Sequence, residues 1–257
     1  MIPTWLNICA WISIILGILS ALLLIADVTN RPQHMQVMNW VWPLCALFGH
    51  LFILWIYYRF ARASKSAGHS HHEHHEHHEH HEHHEHHHDG NHHQQRQQPS
   101  TIQVIKGTLH CGSGCTLGDI IAETLAFNCA SIAMVFGYQQ LFSHQIFAIW
   151  VFDFILAFVI GIIFQYLAIK PMHQMSRTTA LIQAIKADFL SLTSWQIGMY
   201  GFMAIAHFYI FAHVLNIALS ANLPSFWLMM QIAMFCGLLT AMPVNRALIK
   251  HHIKEAM

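Results

Sequence analysis

Four stretches of the chain, Trp5 to Ala26, Val37 to Tyr58, Trp195 to Leu219 and Phe226 to Asn245, contain no Lys, Arg, Asp or Glu. A bilayer core about 30 Å thick takes roughly 20 apolar residues, so each stretch predicts a membrane-crossing helix. Two more, Leu117 to Tyr138 and Ile146 to Ile169, are as long but hold Asp119 and Glu123 in one and Asp153 in the other. The pattern predicts an all-α polytopic membrane protein of about six transmembrane helices. It divides into a two-helix hairpin over 1–62, a linker over 63–100 and a four-helix membrane domain over 101–257. Charged residues make up only 9% of the chain against 55% hydrophobic, which excludes an ordinary soluble enzyme. The zero net charge offers no basic field for nucleic acid.

Lys and Arg collect on the cytoplasmic side of short loops. With the N-terminus inside, six crossings put Arg59, Arg62, Lys65, Arg96, Lys106, Lys170, Arg177, Lys186, Arg246, Lys250 and Lys254 inside and only Arg31 outside. Both termini are then expected in the cytoplasm. The first apolar stretch lacks a positive n-region and a small-residue cleavage site, so it reads as a retained helix. Between Lys170 and Trp195, Leu181, Ile185, Phe189 and Leu192 recur at helical spacing opposite Gln183, Lys186 and Asp188. That pattern fits an amphipathic helix at the inner interface or a soluble connector helix.

From His69 to His93 the chain holds 16 histidines in 25 residues, threaded by Glu73, Glu76, Glu79, Glu82 and Glu85 in a Glu-His-His repeat. A period of three forms no apolar face, and almost nothing in the tract can offset chain entropy, so a disordered cytoplasmic loop is expected. Imidazole suits zinc, copper and nickel, and the density of rings at His74, His75, His77, His78, His80, His81, His83 and His84 lets several wrap one ion in many registers. This favours a metal buffer or delivery arm over a fixed catalytic site. A solvated repeat expansion and a pH-sensing loop are the competing readings of the tract.

After the tract comes His110-Cys111-Gly112-Ser113-Gly114-Cys115-Thr116-Leu117-Gly118-Asp119. On the cytoplasmic side a close thiol pair is a metal or redox site more often than a structural disulfide, and His110 completes a His-Cys-Cys set suited to a soft or borderline ion. Two small residues in a tight loop before the membrane are the competing reading, and the glycines at 112, 114 and 118 allow a tight loop or close helix contact. If a helix begins near Cys115, then Cys115, Asp119 and Glu123 stack along one face. Acids inside a membrane segment point to an ion or proton pathway, with Asp153 as a third candidate. Met199, Met203 and His207 recur by four in the fifth stretch, a stripe open to copper(I) passage or to plain packing.

The Cys-containing decamer and the Ile-Ile-Ala-Glu123 that follows resemble the core of a bacterial membrane protein family, domain of unknown function 4396, over roughly Gly107 to Ile249. The resemblance implies a multi-pass architecture in a bacterial inner membrane and no particular activity. The functional expectation is a membrane protein of transition-metal homeostasis handling Cu, Zn, Ni or Co. Its partners would be the bilayer, metal ions, and a second copy or a metal-handling protein. A thiol redox or assembly factor and a structural scaffold are the alternatives.

Overall fold

The computed structural model describes residues 2–33, 35–63, 100–172, 176–251 and 253–254. The histidine tract, with every one of its eight candidate metal ligands, lies outside the described residues. Seven helices make up the rest: α1 (Thr4–Asn30), α2 (Met38–Ile56, continued by a π-helical turn Tyr57–Ala61), α3 (Thr101–Asn128), the short α4 (Ala130–Val135), α5 (Gln145–Met172), α6 (Arg177–Ala204, continued as π-helix over Ile205–Val214) and α7 (Pro224–Lys250). Five of these are long and apolar enough to cross a membrane: α1, extended α2, α5, extended α6 and α7.

Two expected spans take another form. A straight α2 would separate Trp42 from Tyr57 by about 22 Å. Their ring centroids instead lie 5.5 Å apart, because α2 breaks at His50, whose φ of 41° and ψ of −125° reverse the chain. The second half of α2 therefore returns toward the end it started from. There the Tyr57 hydroxyl donates to Asp27 Oδ2 (2.8 Å), and Arg62 pairs with Asp27 Oδ1 (2.6 Å). The break frees backbone carbonyls, and Gln231 Nε2 on α7 takes that of Leu47 at 2.8 Å. The apolar run Val37 to Tyr58 is thus a re-entrant hairpin rather than a straight crossing. The other correction falls on Leu117 to Tyr138. Its helix starts sixteen residues earlier than that stretch, at Thr101, where Ser100 and Gln103 form a reciprocal capping box, and it stops at Asn128.

Further along the chain, α3 packs antiparallel on α5, α5 on α6 and α6 on α7. Gly114 and Gly118 of α3 meet Gly161 and Ala157 of α5; a Cβ on Gly118 would stand 2.9 Å from the Ala157 backbone. Trp150 of α5 stacks on Tyr200 of α6 at 4.7 Å, while Ser191 and Thr240 tie α6 to α7. One end of the bundle consequently holds the finish of α1, both ends of α2, the start of α3, the finish of α5, the start of α6 and the finish of α7. Arg31, Arg59, Arg62, Lys106, Lys170, Arg177, Lys186, Arg246, Lys250 and Lys254 all belong to that basic end. Helix α1 begins at the opposite end of the bundle from the finish of α7.

The segment expected as an interfacial helix is the first half of α6, continuous with the apolar stretch after it. Its polar and apolar residues do not sort onto two sides as on a surface helix, since Gln183 and Lys186 are exposed and Leu192 is buried. Asp188 is fully buried, whereas Leu181, Ile185 and Phe189 are 43%, 38% and 51% exposed, an outward apolar face suited to lipid.

Candidate functional site

Because α3 is helical from Thr101 onward, Cys111, Cys115, Asp119 and Glu123 follow at four-residue steps and form one stripe that winds slowly around it, about 18 Å long. All four are buried. Of the two readings of the glycines, close helix contact holds and the tight loop does not: they sit inside α3, where their missing side chains let α5 and Trp195 of α6 come close.

Cys111 occupies the basic end of the stripe. Its thiol lies 2.6 Å from Asp188 Oδ1 and 2.8 Å from Ser191 Oγ, and Lys254 Nζ donates to its sulfur at 2.8 Å. The ammonium also stands 3.6 Å from Asp188 Oδ1, both side chains being wholly buried. Asn245 on α7 holds Ser191 by a 2.7 Å bond from Nδ2. Burial pulls the Lys254 ammonium toward a lower pKa, but Cys111 and Asp188 beside it outweigh this and hold it above the usual lysine value.

At mid-stripe the carboxyl groups of Asp119 and Asp153 lie side by side. Asp153 Oδ2 has the Tyr200 hydroxyl at 2.8 Å, yet apart from each other's carboxyl group both oxygens of Asp119 and the second of Asp153 have no hydrogen-bond partner among the described residues. Asp119 also borders a cavity of about 290 Å³ at the α2 break, lined in part by Leu47, Phe48, Thr116 and Gln231. Glu123, one turn on, faces a second cavity of about 320 Å³ that it shares with His207, Gln145 and Ser220 at the end opposite the basic one.

The structure therefore brings Cys111, Cys115, Asp119, Glu123 and Asp153 together and adds His207 at the far mouth. His110 is not part of that line: its ring sits edge-on to Phe164 of α5, with a centroid distance of 6.3 Å and both nitrogens unpartnered among the described residues. Among the described residues no three His, Cys, Asp or Glu side chains converge as a preformed metal cage. Met199 and Met203 lie in the apolar core with Trp195. Asp188, Ser191, Tyr200, Asn245 and Lys254 join the column without being site candidates in the sequence. Ser191 and Asn245 carried one visible signal, since each is an uncharged polar residue next to apolar helix sequence.

Fold and site together define a multi-pass helical protein with membrane-length apolar helices around a buried polar column. Within that class the chain belongs to the family described as a domain of unknown function, DUF4396, whose sequence profile matches residues 102–254. The match takes in the whole column from Cys111 to Lys254 and leaves out α1 and the re-entrant α2. No curated protein and no solved structure matches the chain.

Proposed function

We propose that this protein moves a transition-metal cation of the Cu, Zn, Ni or Co class across a bacterial inner membrane, with the polar column of α3 as the path. The observation that carries the reading is Asp119: a fully buried carboxyl group beside that of Asp153, with no hydrogen-bond partner among the described residues other than that second carboxyl. Such a group is costly in a bilayer unless a cation or proton visits it. The broken α2 beside it supports the same reading, since discontinuous helices at mid-membrane are how many transporters build a cation site. Thiols at one end and carboxylates beyond suit a borderline ion passed between partial coordination shells.

In this reading α3 crosses the membrane as well. Its lower apolarity follows from its position, because a helix enclosed by α2, α5, α6 and α7 has little lipid to satisfy. The basic end is cytoplasmic by its Lys and Arg, which puts the start of α1 outside. The histidine tract, joined to Ala63 and Ser100 at the basic end, then collects ions on the cytoplasmic side.

Purified protein in liposomes loaded with a zinc-sensitive dye tests this. Wild-type protein gives zinc-dependent fluorescence change, and Asp119→Asn loses it by about tenfold or more while keeping its thermal stability. Equal flux in the two proteins overturns the proposal.

A further inference from the structure

Among the described residues Lys254 is the one cation in contact with the Cys111 cluster, and it reaches that place just past the finish of α7. Beyond α7 the tail turns back through Ile253 N and Lys254 N, which both donate to the Leu248 carbonyl, the second at 3.3 Å. Its ammonium then sits 2.8 Å from Cys111 Sγ, 3.6 Å from Asp188 Oδ1 and 3.5 Å from Ser191 Oγ, with no exposure to solvent. The atoms it touches are a sulfur, a carboxylate oxygen and a hydroxyl, a ligand set for a borderline divalent ion. The second carboxylate oxygen, Asp188 Oδ2, is buried against Gly161 of α5 without a hydrogen-bond partner among the described residues.

The geometry points to a metal site built by Cys111, Asp188 and Ser191, in which the Lys254 ammonium is a tethered stand-in for the ion. Charge balances when a divalent cation enters. The ion bonds to Cys111 sulfur and to Asp188 oxygen, the thiol proton leaves to water, and the Lys254 ammonium withdraws with the tail, so two positive charges replace two. The Lys254 side chain thereby fills the basic end of the column while the site is empty, and a bound metal ion displaces it. This inference rests on the metal reading of the column, but it concerns binding at one end and not passage through the middle.

Cobalt(II) added to the full chain in detergent tests it, read by the thiolate-to-cobalt charge-transfer absorption. Removing the tethered cation in Lys254→Met lowers the cobalt Kd at this band by about tenfold or more, Lys254→Arg keeps the wild-type value, and Cys111→Ser in the Lys254→Met background abolishes the gain. A second measurement uses wild-type protein alone: cobalt raises the reactivity of Lys254 toward a water-soluble acylating reagent, and this rise is absent in Cys111→Ser. Unchanged affinity in a folded Lys254→Met protein, a gain that survives loss of Cys111, or a Lys254 reactivity that cobalt leaves unaltered each overturns the inference. Tight cobalt binding in Lys254→Met together with failed zinc flux leaves this site standing and removes the transport reading. Flux without the cobalt effects does the opposite.

Discussion

Trp42 and Tyr57 meet edge to face across the break at His50, and this contact makes α2 a hairpin that re-enters the bundle instead of a crossing. The consequence is topological. Arg31 and Arg62 stand at one end of the molecule, and Gln140, between α4 and α5, stands at the other. Single cysteines at these positions, in a background lacking the exposed Cys9 and Cys129, report it with a membrane-impermeant maleimide. Arg31→Cys and Arg62→Cys label from the same face of the membrane, and Gln140→Cys labels from the opposite face.

The reversal at His50 uses a backbone conformation that glycine adopts more easily than histidine does. His50→Gly is expected to raise thermal stability by about 1 kcal/mol, and His50→Val, whose branched side chain resists positive φ, to lower it by about as much or more. Thermal unfolding in detergent measures both. The Gly variant also loses the 3.4 Å contact of the imidazole with Ser13, which is too long to offset the gain.

Two glycines of the helical interior separate close packing from open space. A side chain on Gly118 drives into the Ala157 backbone, whereas Gly201 has nothing within 4 Å of where its Cβ would be. Gly118→Leu therefore costs about 3 kcal/mol or more, since α3 and α5 must part. Gly201→Ala gains up to about 1 kcal/mol from helix propensity. The ordering of the two unfolding temperatures around wild type checks the α3–α5 contact.

Deleting the tract His69 to His93 separates capture from passage. The account expects the number of zinc ions bound per chain to fall, while flux at saturating zinc continues and remains sensitive to Glu123→Gln. Equilibrium dialysis beside the liposome assay reads the two quantities on the same preparations.

The apolar runs of α1, α5 and α7 were legible because lipid-facing helices must be apolar whatever they pack against. The carboxylates of the column were legible for the converse reason, since Asp119, Glu123 and Asp153 interrupt such runs. The reversal in α2 was not, because hydropathy measures transfer out of water and is blind to direction: a hairpin and a crossing of the same composition score alike. The start of α3 is written in the chain as Ser100-x-x-Gln103, a capping box, but the glycines after it are open to a tight loop as well as to close helix contact. In the bundle they serve close helix contact. Asp188 and Lys254 looked like solvated charges, as residues near a cytoplasmic boundary usually are. Only the packing of α3, α6 and the tail around one point shows that each neutralises the other.

The central claim, that a metal cation occupies the column of α3, is tested most directly by anomalous diffraction from crystals of the protein grown with cobalt(II). The account predicts an anomalous peak inside the bundle between the carboxyl groups of Asp119 and Asp153. Peaks confined to the histidine tract or to the protein surface, with the space between those two carboxylates empty at saturating cobalt, contradict it.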